Sequence, residues 1–413
     1  MARELTTIED ARMMVLARTS VLEPEPVPLR EALGRILATD VAAADAVPGF
    51  DNSAMDGYAV LAADTRDAEA EQRRLSIVDE SRAGHPAAVG LDAGEAIAIS
   101  TGAMLPAGAD AVVRVEDTAR EADEVVIRAE VTAGDAIRRA GEDVRAGDVV
   151  LRAGAELGAA ELGALAAVGH GEARCARRPR LTFVLTGDEL VEPGQPLGPG
   201  QIRNSNAYSV PPLAQEAGGE VTAVTMVGDE RAATRAALEG ALGDDVVIVS
   251  GGVSVGEHDH VRPALESLAV EQVFWGVSLR PGKPTYFGVA PSGALVFGLP
   301  GNPVSAMVTF LLFVRPALLA MQGSDPSTAR IIARLEADYE KVRGRAEAIR
   351  VCLRAGDGGW VATPTGPQGS HVLTSMLAAD GLAFAPTEID VVRAGESIEV
   401  ELLRPGSPVA SIP

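Results

Sequence analysis

The 413-residue sequence predicts a multidomain α/β protein in which a doubly wound parallel sheet lies between two β-rich regions. Three observations predict it. The chain is longer than a single hydrophobic core normally serves, so about two to four domains are expected. From Arg180 onwards, continuous apolar strands alternate with helices, the pattern of a parallel sheet covered on both faces. Before and after that region, short β-branched runs are separated by Gly and Asp.

Taken in order, MARELTTIEDARMM sets Thr6 three residues before Glu9, a capping box that opens a helix. EPEPVP is a stiff connector, and LREALGRILATDV predicts a second short helix ending near Asp40. The runs AIAIS, AVVRVEDT, EVVIRAEV and DVVLRAG, between Leu75 and Leu151, predict a small β-rich domain. ELGALAAVGH is a helix with a glycine-rich exit. RLTFVL, VTAVTMVGD, DVVIVS and GALVFG are the strands of the parallel sheet, with a helix from Glu230 to Leu242 between them. PVSAMVTFLLFVRPALLAM is a long buried helix. After QGSDPST the chain returns to short alternating strands, as in SIEVELL, and reads as a small β-barrel or sandwich.

Composition excludes several functions. With 58 acidic against 36 basic residues the formal charge is -22, which argues against nucleic acid as a partner. Any anionic ligand must therefore meet a local basic cluster. Cys175 and Cys352 have no Cys or His neighbours at ligand spacing, so neither a thiolate zinc site nor a disulfide scaffold is expected. The N-terminus has no apolar signal core, and PVSAMVTFLLFV is closed by Arg315 and Pro316 well short of the roughly 20 residues that span a bilayer. A soluble, cytoplasmic protein that makes no membrane contact is expected.

Three loops follow strands of the expected sheet, and parallel sheets bind ligands beyond the carboxyl ends of their strands. They are TGDEL from Thr186, SGGVSVGEHD from Ser250 to Asp259, and GLPGNPVS from Gly298 to Ser305. In the second, Gly251, Gly252 and Gly256 let backbone N–H groups approach an anion, and Ser250 and Ser254 add hydroxyls. Asp259 closes that loop at an expected helix start, where it can serve a metal or cap the helix. The spacing fits neither a P-loop nor a dinucleotide fingerprint. RPGKP adds positive charge, since Arg280 and Lys283 flank a Pro-Gly turn that can point both side chains one way. In VPGFDNSAMDGYAV, carboxylates are threaded between Phe50, Met55 and Tyr58. Those three side chains are expected to pack the loop down so that Asp56 projects from it.

Together, PGFDNSAMDGYAV, TGDEL, SGGVSVGEHD, RPGKP and GLPGNPVSA resemble the molybdopterin molybdenumtransferases (MoeA-type proteins), and the E domains of gephyrin and of the plant molybdenum insertase. The resemblance runs in register along nearly the whole chain. It implies an elongated discontinuous N-terminal domain (1–49 and 144–178) and an inserted β-rich domain (50–143). A molybdopterin-binding α/β domain (179–325) and a C-terminal β-barrel (326–413) follow. It implies insertion of molybdate into adenylated molybdopterin with release of AMP, a Mg2+ ion, a homodimer, and transient contact with a molybdopterin adenylyltransferase. Adenylyltransferase-like activity and a gephyrin-like scaffold are the alternatives.

The resemblance also implies residue roles. Thr186, Ser250, Gly251, Gly252, Ser254, Gly256, Pro300, Gly301, Asn302 and Pro303 would hold the molybdopterin and AMP parts. Asp188, Glu189 and Asp259 would hold the metal, as hard oxygen ligands should. Arg280, Lys283, Ser305, Arg350 and Ser370 would bind molybdate, a tetrahedral dianion suited to convergent Arg, Lys and Ser donors. Asp56, Thr101, Asp143, Glu189 and Asp259 would be catalytic, with Asp56 reaching the site of a second subunit.

Overall fold

The computed structural model describes residues 5–253, 259–356 and 358–403, and these form two compact units. The smaller comprises Pro26–Leu33 and Thr39–Arg174, and the larger takes the rest. The chain enters the larger unit through helix α1 (Ile8–Leu16). Its cap lies one residue later than the sequence predicts: Thr7 Oγ1 accepts the Asp10 N–H at 3.0 Å. Thr6 is used elsewhere, because its N–H and carbonyl bond Gly276 and Ser278 in a β-bridge. The helix expected across Leu29–Asp40 does not form. A single 3-10 turn, Leu29–Glu31, is followed by Gly34 at φ +69°, a left-handed conformation no helix interior accepts.

In the smaller unit a six-stranded sheet is built from β1 (Gly57–Val60), β2 (Arg73–Ser81), β3 (Glu95–Ile99), β4 (Ala111–Arg114), β5 (Thr118–Glu121) and β6 (Glu124–Ile127). Its order is β4-β1-β3-β2-β6-β5. Tyr58, Leu75, Val113 and Ile127 pack one face, and Ile97, Ile99 and Val112 pack the other. Gly57 is demanded by that pairing, since a Cβ there would lie 1.9 Å from the Val113 carbonyl. The same unit carries α2 (Ala159–Ala167).

The larger unit holds the α/β layer. Its strands are β7 (Arg180–Thr186), β8 (Glu220–Val227), β9 (Val246–Ser250), β10 (Glu271–Trp275), β11 (Tyr286–Val289) and β12 (Leu295–Leu299). The order is β8-β7-β9-β12-β11-β10. The first four are parallel, and β11 runs antiparallel to both of its neighbours, β12 and β10. β9 and β12 are buried along their whole length, which is why they read as unbroken apolar runs. Helices cover both faces. Phe183, Ile248 and Phe297 pack with residues of α3 (Asn206–Glu216) and of the long helix after β12. Val184, Val249 and Val296 pack with α4 (Arg231–Ala241) and α5 (Val261–Ser267). The long helix runs from Pro303 to Met321 as α6 (Pro303–Thr309), a π-turn (Phe310–Val314) and α7 (Arg315–Met321). It is apolar enough to cross a membrane, yet its most apolar window is 78% buried, so its surface is spent on the sheet.

Five strands close a barrel in the C-terminal part: β13 (Arg330–Leu335), β14 (Ala346–Gly356), β15 (Gly359–Pro364), β16 (Gly381–Ala385) and β17 (Ser397–Leu402). β14 pairs with both β15 and β16, which leaves no open edge. Leu335, Ile349, Val351, Leu353, Ala383 and Val400 fill it. A two-residue strand, Leu279–Arg280, pairs in parallel with Ala346–Glu347 and ties the barrel to the turn that leaves the α/β layer.

Candidate active site

From β7 the chain crosses to β8 on one side and returns to β9 on the other, so the strand order switches between β7 and β9. Such a switch opens a crevice at the carboxyl ends of the strands. A cleft of about 500 Å3 occupies that position. Of the residues named from the sequence, Thr186, Glu189, Ser250, Gly251, Gly252, Asp259, Pro300, Gly301, Asn302 and Pro303 line it. Gly251 and Gly252 sit at φ +94° and +61°. A Cβ on Gly251 would lie 2.5 Å from the Thr186 carbonyl, and one on Gly252 would lie 2.9 Å from Thr186 Oγ1. Only glycine closes the two loops this tightly. The Thr186 hydroxyl is buried without a hydrogen-bond partner, which leaves it for a ligand. Ser254 and Gly256 lie outside the described residues.

Sequence reasoning missed several parts of this cleft. Asn206, at the start of α3, donates through Nδ2 to Ser250 Oγ and to the Gly301 carbonyl, both at 2.8 Å. It straps two strand-end loops together, and its Oδ1 is buried without a partner. Asp229, after β8, also lines the cleft. Its N–H donates to Asp188 Oδ1 at 3.0 Å, so Asp188 serves as the fastening of a neighbouring loop and is not part of the lining. Arg203 is the one guanidinium along the wall among the described residues, and its Nη1 donates to the Glu192 carbonyl. The signal was the polar run RNSNAY, which carries no periodicity. No three His, Cys, Asp or Glu side chains among the described residues converge to hold a metal ion.

The remaining basic and hydroxyl residues are not part of the cleft lining, although Lys283 and Ser305 lie one and two residues from Pro284 and Pro303, which are. Ser370 accepts, through its carbonyl, the N–H of Val304 in the first turn of α6 at 3.2 Å. Gly369, one residue earlier, accepts from Arg350 Nη2 at 3.4 Å. The loop carrying Ser370 is thus docked where Ser305, itself buried, begins the helix. Arg350 is 0% exposed. Its other donors go to the Ala348 carbonyl and Ser375 Oγ, and burial pulls its pKa down. Arg280 sits 3.8 Å from the carboxylate of Glu347, and Lys283 is exposed on the same turn.

In the smaller unit the structure joins Asp56 to Thr101. Asp56 Oδ1 accepts the Thr101 N–H at 2.7 Å and its hydroxyl at 3.1 Å. The loop is held differently from the expectation. Phe50 is 42% and Met55 48% exposed, and only Tyr58 is buried. Hydrogen bonds do the fastening instead: Ser53 exchanges backbone bonds with Ala103 and Gly102, and Asp51 pairs with Arg139 at 2.6 Å. A loop this rich in Asp, Asn and Ser satisfies its own backbone, which removes the need for apolar anchors. Asp143 is exposed beside the Val47–Val144 bridge, and its N–H donates to the Val47 carbonyl at 3.0 Å.

Fold and cleft together define an α/β layer with a glycine-rich cleft at its switch point, carried on one chain with a closed β-barrel. Three family profiles match in sequence: "MoeA N-terminal region (domain I and II)" over residues 6–169, "Probable molybdopterin binding domain" over 182–320, and "MoeA C-terminal region (domain IV)" over 332–403. Molybdopterin molybdenumtransferase 2 of Mycobacterium tuberculosis is 38% identical, across 96% of this chain and 99% of the relative. The molybdopterin molybdenumtransferase of Haemophilus influenzae is also 38% identical, across 93% and 97%. The crystal structure of the molybdopterin biosynthesis MoeA protein from Pyrococcus horikosii superimposes with a TM-score of 0.85 at 35% identity, covering 97% of this chain and 100% of that one. The chain belongs to the molybdopterin molybdenumtransferase family of transferases.

Proposed function

We propose that the protein inserts molybdate into adenylated molybdopterin, releases AMP and forms molybdenum cofactor. The observation that carries this reading is the cleft at the β7/β9 switch. Its glycine-rich loops and the unpartnered Thr186 hydroxyl offer N–H and O–H donors to phosphate oxygens. The pterin phosphate and the AMP phosphate lie along Ser250–Gly252 and Pro300–Asn302, and Arg203 faces the charge they bring. Matching regions on both sides of the molybdopterin-binding part favour insertion over stand-alone adenylylation or scaffolding.

Glu189 and Asp259 lie on the cleft wall and Asp188 next to it, and these would hold Mg2+. A phosphate-borne Mg2+ needs only one or two protein carboxylates, the rest of its shell being phosphate and water, so this open donor set fits it. When bound, the ion neutralises charge on the leaving phosphate. Arg280, Lys283, Ser305, Arg350 and Ser370 receive molybdate. Asp56, with Thr101 and Asp143, completes the site from the second subunit of a homodimer, and a molybdopterin adenylyltransferase hands over the substrate in the cytoplasm. In this reading the domains are 1–49 with 144–178, 50–143, 179–325 and 326–413.

The test is direct. Purified protein is mixed with adenylated molybdopterin, molybdate and Mg2+, and AMP is followed. Release that requires molybdate and Mg2+ is expected. Unchanged substrate after many minutes with protein in excess removes the reading.

A further inference from the structure

Glu347 is a carboxylate buried where an anion site needs positive charge. It is 2% exposed and lies level with Arg280 in the two-residue parallel ladder. Oε1 accepts the Tyr339 hydroxyl at 2.8 Å. Burial first, and that bond second, push the Tyr339 hydroxyl up, so it stays protonated and keeps donating. Oε2 is buried with no hydrogen bond at all. Among the described residues its one ion-pair contact is with Arg280, whose Nη1 is 3.8 Å away, while Arg350 and Lys341 also feel its charge. That distance is an ion pair and too long for a hydrogen bond. The two partners also differ in freedom, because the Arg280 side chain is 43% exposed while Glu347 cannot follow it out. By contrast, Arg12 closes on Glu401 in a bidentate contact at 2.6 and 2.7 Å.

We propose that Glu347 is the resident counter-ion of the oxyanion site, tethering Arg280 until a dianion displaces it and so selecting dianions over monoanions. This rests on the reading that Arg280 contacts molybdate. A monoanion such as chloride offers the guanidinium no more charge than Glu347 already supplies, and it must shed its own water to do so. A tetrahedral dianion offers twice the charge and a pair of acceptors matched to the guanidinium fork. Arg280 can swing towards it, and Glu347 remains fixed by Tyr339.

Sodium molybdate is titrated calorimetrically into the full chain at low and high sodium chloride, using wild type, Glu347→Gln and Arg280→Ala. In Glu347→Gln, molybdate is expected to bind roughly tenfold more tightly at low chloride, a change of about one decade in Kd. That gain should vanish as chloride rises and occupies the untethered guanidinium, while wild type responds weakly to chloride. A folded Glu347→Gln variant with wild-type affinity and chloride response overturns the proposal, and so does weaker binding. Should Glu347→Gln not fold, Glu347→Asp, which withdraws the carboxylate by one methylene, should show a chloride response above wild type; no change overturns the proposal. Arg280→Ala separates the two levels, because unchanged molybdate affinity there removes the oxyanion reading itself.

Discussion

Asn206 Nδ2 lies 2.8 Å from Ser250 Oγ and 2.8 Å from the Gly301 carbonyl, so one side-chain amide holds the loop after β9 against the loop after β12. Replacing Asn206 by Ala leaves the buried Ser250 hydroxyl without this partner, releases the Gly301 carbonyl and frees the loops to part. A loss of about 1–3 kcal/mol in stability is expected, read by denaturant unfolding. AMP release should fall through a raised KM for the adenylated substrate, and an unaltered KM would mean that the strap serves stability alone.

Gly251→Ala tests the cradle itself. The added methyl would meet the Thr186 carbonyl at 2.5 Å on a backbone at φ +94°. Strain of about 1–3 kcal/mol must be relieved by moving the loop. Calorimetric affinity for AMP should drop by at least tenfold while far-UV circular dichroism is retained. Wild-type affinity would place the phosphate elsewhere.

Arg350 and Ser370 should separate. Arg350→Ala empties a fully buried site and strands the carbonyls of Ala348 and Gly369, so it should cost about 2–4 kcal/mol of stability. Ser370→Ala keeps the carbonyl that docks on Val304, so stability should change by less than about 0.5 kcal/mol. Both should weaken molybdate binding, Arg350→Ala by roughly ten- to a hundredfold for a charged donor. Calorimetry of molybdate binding and thermal unfolding on the same samples check both halves.

Mixed dimers test the position of Asp56. Asp56→Asn keeps an oxygen that can accept from Thr101, so its loop should stay in place. Asp56→Asn and Asp259→Ala homodimers should each be nearly inactive. Heterodimers of the two should recover towards half of wild-type turnover, because one site then has both carboxylates. Heterodimers that form and remain as inactive as their parents would place both carboxylates in one chain's site.

Asp245 supplies a pH prediction. Burial raises its pKa, but the fork of Arg177 and the Arg180 N–H outweigh burial and hold the carboxyl below the ordinary range. A depressed carboxylate stabilises the fold above its unfolded pKa and loses that contribution as pH falls through the folded one. Asp245→Asn should therefore cost about 1.5–3 kcal/mol at neutral pH. The gap from wild type should begin to narrow below the ordinary Asp value near 3.9 and shrink further as pH falls through the lower folded pKa, measured by unfolding from about pH 7 down to about pH 2.

The sequence alone determined the parallel layer and most of its cleft. β9 and β12 are buried on both faces and so read as unbroken apolar runs, and Gly251 and Gly252 are legible as turn glycines, although the close approach to Thr186 that demands them is a tertiary contact. The family motifs named Arg280, Arg350 and Ser370, and the tertiary structure decided what surrounds them. Glu347 becomes a neighbour of Arg280 only through a ladder that joins the turn after β10 to β14. Asn206 and Asp229 reach the cleft only because the strand order switches between β7 and β9. Leu29–Asp40 looked helical because its apolar spacing is right, and Gly34 overrode that spacing with a backbone conformation a helix cannot hold. The Asp56 loop looked apolar enough to be packed down, yet Phe50 and Met55 face outwards while Thr101, Ala103 and Arg139 fasten it. Periodicity reports which residues can be buried. Which polar groups meet depends on contacts between residues far apart in the chain, and those exist only once the sheet and barrel have closed.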